Sequence, residues 1–256
     1  MLNIGSIFSF FSGEVLNLII VILFVLVGGI LPLWERKVLS LIQRRVGPKF
    51  VGYKGRLQFI ADALKVFFKD YLTLLFVNKF LFFCLPVFFL NLNLLFWVNI
   101  VFFGNCSYVG VEYNFVFLLI FSLISNLFIF FVGIYNKNKY TILTSNRMLN
   151  MLFLNDIFLS ILFTIFFFFF NSFSFHKILF IKSYVIILFL SIACLPLIIY
   201  LFLLDVGKVP FDLVEAESEL IMGYHIEYSG FLFGLFVLVE YLHLFFFLYL
   251  LQLVFL

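Results

Sequence analysis

Residues 14–34 read EVLNLIIVILFVLVGGILPLW and carry no charged side chain after the first position. An apolar run of about 20 residues is long enough to cross the hydrocarbon core of a bilayer as a helix. The rest of the 256-residue chain has the same character, with 66% hydrophobic and 11% charged residues and a mean hydropathy of +1.25. Soluble domains carry about 25% charged residues. The composition therefore predicts a membrane protein.

Working outward from this stretch, six apolar segments are long enough to span a membrane. Lipid cannot satisfy exposed backbone groups, so each segment is expected to be helical. The predicted fold is an all-α membrane protein, a single transmembrane domain over residues 1–256 with about six transmembrane helices. The predicted spans are 14–34, 79–103, 112–134, 148–170, 178–204 and 229–256.

The orientation follows from the basic residues. Fourteen of the sixteen Lys and Arg residues lie in or beside three segments between spans, 35–78, 135–147 and 205–228. Basic residues concentrate in loops on the cytoplasmic side, so these three segments are expected inside and both termini outside. The first basic residue is Arg36, so the N-terminal residues resemble neither a secretory signal nor a mitochondrial presequence. We therefore expect a mitochondrial inner-membrane protein made within the organelle or, alternatively, a bacterial plasma-membrane protein.

The first inside segment becomes helical in pattern from Leu57 onward. Gln58, Asp62, Lys65 and Lys69 are spaced i, i+4, i+7 and i+11 and share one face, with apolar residues on the other. This short helix carries too much charge to span, so it is expected to lie in the membrane interface. On spacing alone, a solvated anchor helix in which Asp62 and Lys65 form an i, i+3 pair is the favoured interpretation.

The third inside segment, 205–228, holds six acidic residues and one Lys. Asp212, Glu215 and Glu219 fall on one helical face, where like charge and desolvation would raise the pKa of carboxyl groups. An ordinary solvated acidic loop is the alternative. Because the first inside segment is strongly basic, we expect these two segments to face each other.

Two acidic residues, Asp156 and Glu240, lie inside predicted spans. An ionisable group at that depth is costly, so it usually faces protein or water and serves a function such as proton transfer. A neutral carboxyl that holds helices together by hydrogen bonds is the competing interpretation.

Gly230 and Gly234 form one small-xxx-small pair, a weak signal for a helix contact. The three histidines show no ligand spacing, so no metal site is expected.

Three ordered motifs carry a family resemblance. E-R-K-x-L begins at Glu35, L-Q-x-x-A-D-A-x-K begins at Leu57, and P-F-D-L-x-E-x-E-S-E-L begins at Pro210. In this order they resemble the family of subunit 1 of respiratory complex I (NADH dehydrogenase), the membrane subunit of the quinone chamber. Two positions depart from the family pattern: Asp205 stands where Glu is common, and Lys208 where Arg is common. Lys208 cannot form the bidentate fork of Arg.

The resemblance implies a function and two groups of residues. The chain would line the quinone-access chamber of NADH:ubiquinone oxidoreductase and couple quinone reduction to proton translocation. The chamber residues would be Arg36, Arg45, Asp62, Lys65, Phe211 and Asp212. The proton-coupling residues would be Arg147, Asp156, Asp205, Lys208, Glu215, Glu217, Glu219, Glu227 and Glu240.

The resemblance also implies partners. The chain would bind no cofactor of its own, with ubiquinone as substrate and with FMN and Fe–S clusters in partner subunits. Expected partners are the hydrophilic subunits of the quinone site, adjacent membrane subunits and membrane lipid, with no nucleic acid. Family members typically have eight spans, so we expect a second chain to supply two further helices. The alternatives are the related subunit of a membrane-bound hydrogenase and an independent proton or ion transporter.

Overall fold

The fold is helical throughout the part of the chain that the computed structural model describes, residues 4–71, 77–98, 114–170, 185–207 and 223–255. No strand occurs in these ranges, and short 3₁₀ turns lie at Tyr53–Gly55 and Gly223–His225. The predicted all-α class is confirmed, and each of the six predicted spans overlaps a long helix. The helices within these ranges are α1 Ile4–Ile42, α2 Gln58–Phe68, α3 Lys79–Val98, α4 Asn114–Tyr135, α5 Lys139–Phe170, α6 Val185–Val206 and α7 Gly230–Phe255.

Length and hydropathy support a membrane location for these helices. Within the residues whose side chains are described, Lys139–Ile165 of α5 and Gly230–Leu251 of α7 are long and apolar enough to span a bilayer. Shorter apolar stretches lie at Lys79–Leu95, Leu119–Tyr135 and Cys194–Val206. Large apolar side chains such as Phe80 and Phe168 are 77% and 82% exposed, which suits a surface that contacts lipid.

The helices extend into the predicted inside segments. Helix α1 continues through Arg36 and Lys37 to Ile42, so the segment 35–78 begins as helix. Helix α5 begins at Lys139, which leaves only residues 136–138 of the predicted loop 135–147 outside the helices. Asp205 is still part of α6 and does not lie in a loop. A helix need not end where its apolar run ends, because Lys and Arg are good helix formers and water satisfies the backbone beyond the lipid.

Helix α7 lies at the centre and packs against α1, α2, α3 and α6. Its side chains Phe236, Leu242 and Leu250 are fully buried. One apolar cluster surrounds the C-terminal half of α7 with α5 and α6, and a second surrounds its N-terminal half with α3 and α4. Residues on α7 between these clusters can therefore reach several helices at once.

The predicted glycine pair on α7 is a contact surface for α2. A Cβ atom at Gly234 would lie 2.7 Å from Val66 Cγ1, and one at Gly230, which has a φ of +57°, would lie 2.6 Å from the Lys69 carbonyl oxygen. Phe67 of α2 stacks on Phe231 of α7 with ring centroids 5.0 Å apart. The predicted helix contact at the glycines is confirmed, and it brings the end of the first inside segment against α7.

Replacing Gly234 by Ala is expected to weaken the docking of α2 on α7. The added methyl group collides with Val66, and overpacking of this kind costs about 1–3 kcal/mol. We expect less assembled complex on native gels and faster proteolysis near residues 49–71 in Gly234→Ala. The double variant with Val66→Ala removes the collision and should restore both readouts. Full assembly of the single variant, or no recovery in the double variant, would contradict this packing.

Candidate functional site

A cavity of about 280 Å³ lies between α1, α2 and α7. Two of its lining residues, Arg36 and Asp62, are charged, and the others are apolar or glycine. Pockets for small ligands combine such apolar walls with a few well-placed polar groups. The apolar walls come from Gly28, Gly29, Pro32 and Leu33 on α1, Phe59, Ala63, Val66 and Phe67 on α2, and Phe231, Phe233, Gly234, Leu235, Val237 and Leu238 on α7.

The charged pair is held in a defined geometry. Arg36 Nη1 donates to Asp62 Oδ2 at 2.9 Å, and Gln58 Nε2 donates to Asp62 Oδ1 at 3.0 Å. Both oxygens of Asp62 are thereby engaged. The guanidinium has five N–H donors, so one bond to Asp62 leaves donors for another acceptor. The side chains are 61% and 43% exposed, and a pair this exposed adds little stability.

The structure brings together two of the six residues predicted for the chamber. Arg36 and Asp62 meet across α1 and α2 and line the cavity. Arg45 and Lys65 are exposed and do not line it. Phe211 and Asp212 lie outside the described residues.

A buried polar network joins α4, α5 and α6 and faces α7. Asp156, which is 4% exposed, accepts a hydrogen bond of 2.6 Å from Asn126 Nδ2. The neighbouring Asn155 donates through Nδ2 to the Leu201 carbonyl oxygen at 3.1 Å and to Asp205 Oδ1 at 3.2 Å. The other carboxyl oxygen, Asp205 Oδ2, lies 3.7 Å from His243 Nε2.

A second polar network joins α7 to α1 and to the turn at 223–225. The Tyr224 hydroxyl donates to Glu240 Oε1 at 3.0 Å, and the Tyr241 hydroxyl donates to Glu35 Oε2 at 2.5 Å. Glu240, Tyr241 and His243 lie within one turn of α7. The two networks therefore meet on this helix.

The described end of the third inside segment is tied to the loop between α4 and α5. Asn138 Nδ2 donates to Glu227 Oε1 at 2.7 Å, and Asn136 Nδ2 donates to the Tyr224 carbonyl oxygen at 3.0 Å. His225 packs beside Tyr224 and is buried. Burial lowers the pKa of His225 to about 4, because the charged imidazole is poorly solvated there. Its side chain is therefore neutral near pH 7 and serves packing.

The predicted proton-coupling residues are only partly brought together. Asp156 and Asp205 join one network and Glu240 the other, whereas Glu227 is bound to Asn138. Arg147 precedes Asp156 by nine residues on α5, about 13 Å along the helix axis. The remaining predicted residues, Lys208, Glu215, Glu217 and Glu219, lie outside the described residues, so the predicted contact between the acidic and basic segments remains a prediction there.

Sequence reasoning missed six members of these networks, Glu35, Asn126, Asn155, Tyr224, Tyr241 and His243. Two signals could have indicated some of them. Polar amides inside apolar spans usually hydrogen-bond to other helices, and His243 follows Glu240 by three residues, which places both on one helix face. Over the described ranges, no group of three His, Cys, Asp or Glu residues could hold a metal ion.

Comparison with known proteins shows matches along most of the chain. The family described as NADH dehydrogenase matches residues 15–256. The NADH-ubiquinone oxidoreductase chain 1 of Paramecium tetraurelia is 41% identical over 244 residues, 93% of this chain and 92% of that protein. A NADH-quinone oxidoreductase subunit of Helicobacter pylori (strain Shi470) is 33% identical over 260 residues, 93% of this chain and 76% of that protein. The NADH-ubiquinone oxidoreductase chain 1 of Apis mellifera ligustica is 33% identical over 244 residues, 94% of this chain and 78% of that protein.

Proposed function

The chain belongs to the NADH dehydrogenase family, and we propose that it is the membrane subunit that lines the quinone-access chamber of NADH:quinone oxidoreductase and couples quinone reduction to proton translocation. The names of its relatives favour this function over a hydrogenase subunit or an independent transporter. The main structural support for the proposal is the cavity between α1, α2 and α7, with Arg36 and Asp62 in its wall.

The chemistry of the cavity suits a quinone headgroup. Its apolar wall favours the ring and the adjoining lipid tail, because both gain by leaving water. The guanidinium of Arg36 is fixed by Asp62 and can donate a second hydrogen bond to a quinone carbonyl oxygen. Negative charge develops on that oxygen during reduction, and a fixed cation stabilises it. The electrons would come from an Fe–S cluster of a partner subunit.

The buried networks support the proton-coupling part of the proposal. Asp156, Asp205 and Glu240 are carboxyl groups held by amide or phenol donors inside the helix bundle. Such groups can take up and release protons when a nearby charge changes. The acidic residues predicted from the third inside segment, Glu215, Glu217, Glu219 and Glu227, would extend this path toward the chamber, with Lys208 and Arg147 as the neighbouring cations.

The proposal includes a location and partners. The chain would lie in the mitochondrial inner membrane or a bacterial plasma membrane, with both termini on the outer side. The FMN and Fe–S clusters would be in hydrophilic subunits at the inner face. Adjacent membrane subunits would complete the assembly. Mass spectrometry of the purified complex identifies these subunits.

Filling the cavity tests the proposed function. Ala63 lines the cavity on α2, so Ala63→Phe should block the headgroup. We expect inhibitor-sensitive NADH–quinone activity in the intact complex to fall roughly tenfold or more, since misplacing a reacting group can cost up to ~10²-fold. Electron transfer from NADH to a hydrophilic artificial acceptor should be unchanged.

Leu64→Phe is the matched control. Leu64 follows Ala63 on α2, is 49% exposed and does not line the cavity. This variant should retain quinone activity. An equal loss in both variants, or full activity in Ala63→Phe, would contradict a quinone site in this cavity.

A further inference from the structure

His243 faces a buried carboxyl group. Its Nε2 atom lies 3.7 Å from Asp205 Oδ2, and the two side chains are 14% and 1% exposed. This distance is too long for a hydrogen bond, but a shift of about 1 Å would close it. In the described part of the chain, Asp205 Oδ2 accepts no hydrogen bond. A buried carboxylate oxygen without a donor is costly, so the pair is stabilised when one shared proton lies on Asp205 or on His243.

His243 stands where the two polar networks meet. On one side, Asp205 connects through Asn155 to the α5 turn that holds Asp156. On the other side, Glu240 lies one turn earlier on α7 and accepts a hydrogen bond from Tyr224. The titratable and charged groups of the two networks in the described residues are Asp205 on α6, Asp156 on α5, Glu240 and Tyr241 on α7, and Glu35 and Arg36 on α1, which face Tyr241.

The surroundings of the pair exclude water on one side. The His243 ring lies 4.5 Å from the Phe247 ring, which stacks on Phe202 at 4.3 Å. Both phenylalanines belong to the apolar cluster around the C-terminal half of α7. His243 is thirteen residues beyond Gly230, about 20 Å along the helix axis. At this depth, neighbouring polar side chains offer a path for a proton.

We propose that His243 is a proton-transferring residue that connects the Asp156–Asp205 network with the Glu240 network. This inference rests on the proposed function. The carboxyl O–H bond of Asp205 breaks and an N–H bond forms at Nε2, which gives an imidazolium and a carboxylate. The imidazolium then loses the proton on Nδ1 to the Glu240 carboxylate, where a carboxyl O–H bond forms, and a neutral imidazole is left. The reverse sequence carries a proton the other way, so charge and protons balance in each step.

Proton translocation by the intact complex in sealed vesicles tests this role. His243→Gln keeps a hydrogen-bonding side chain but cannot carry a proton. We expect NADH–quinone-driven proton uptake to fall about tenfold or more, as for loss of a general acid–base group, with a changed pH profile. Reduction of a hydrophilic artificial acceptor should stay constant. His243→Glu restores a titratable group and should recover part of the rate, with the pH profile shifted to lower pH.

His225→Gln is the matched control, because His225 is also a buried imidazole, and its Nδ1 atom makes no hydrogen bond within the described residues. It should leave the pH profile unchanged, and His243→Asn serves as a smaller variant if the Gln form assembles poorly. Wild-type rate and pH profile in the assembled His243→Gln or His243→Asn form would overturn the proposal. So would a loss in His243→Gln that His243→Glu does not relieve. A wild-type complex without quinone-driven proton uptake would instead refute the proposed function itself.

Discussion

Replacing Asp156 by Asn is expected to reduce quinone-driven proton translocation by about a hundredfold, the scale of losing a positioned general acid–base group. Asn has nearly the same volume as Asp, and its carbonyl oxygen can still accept the 2.6 Å hydrogen bond from Asn126 Nδ2. The substitution therefore removes the titratable proton while it preserves the packing of α4 against α5. Proton uptake and NADH–quinone turnover in vesicles measure the effect, with artificial-acceptor activity as the internal reference.

Two further variants on α5 define what this result means. Asp156→Glu keeps a titratable group and should retain most of the activity. Ser160 lies one turn later, and in the described residues its hydroxyl group bonds only to the Ile157 carbonyl oxygen. The control variant Ser160→Ala should therefore leave proton uptake nearly unchanged. Normal proton uptake in an assembled Asp156→Asn complex would show that Asp156 holds helices together and transfers no proton.

Reversing one charge at the cavity should have an effect of similar size. Arg36→Asp places two carboxylates where a 2.9 Å ion pair stood, and it removes the donors that would face a quinone carbonyl group. Loss of a positioned electrostatic donor typically costs ~10²–10³-fold in turnover. We expect NADH–quinone activity of the complex to fall by about a hundredfold, without loss of artificial-acceptor activity.

The double variant Arg36→Asp/Asp62→Arg separates the two roles of this pair. It restores the attraction between α1 and α2 but moves the cation to the other wall of the cavity. Assembly should recover, whereas quinone turnover should remain about tenfold or more below wild type because the donor is displaced. Complete recovery of turnover would show that the pair matters only for holding α2 in place. The pair is largely exposed, so a large loss in the single variant would not reflect stability alone.

Much of the fold could be predicted from the sequence. Each span is a long apolar run, and a helix in lipid satisfies its own backbone without help from neighbours, so its position needs no tertiary information. Helix α2 was equally visible, because the spacing of Gln58, Asp62 and Lys65 marks one polar face. The ends of the helices could not be predicted as well. Residues 35–42 and 139–147 continue their helices beyond the apolar runs, and polar residues tolerate helix or loop alike.

The sequence also identified Asp156 and Glu240, because they lie inside apolar spans, and the family resemblance added Arg36 and Asp62. The hydrogen-bond partners of these residues could not be predicted from the sequence. Arg36 meets a residue 26 positions away, Asp156 one 30 positions away, and Glu240 one 16 positions away. Only the tertiary structure shows that α6 places Asp205 beside His243.

The sequence by itself determined that this protein is a bundle of membrane helices with an amphipathic helix at one side, and its ordered motifs indicated the family. Only the tertiary structure decided which faces of the helices meet, and hence where the cavity and the polar networks lie. The physical reason is that a helix with apolar residues on every side has no preferred rotation about its own axis in lipid. Its rotation is set by close packing and by hydrogen bonds to particular neighbours, such as Gly234 against Val66 and Asn126 with Asp156.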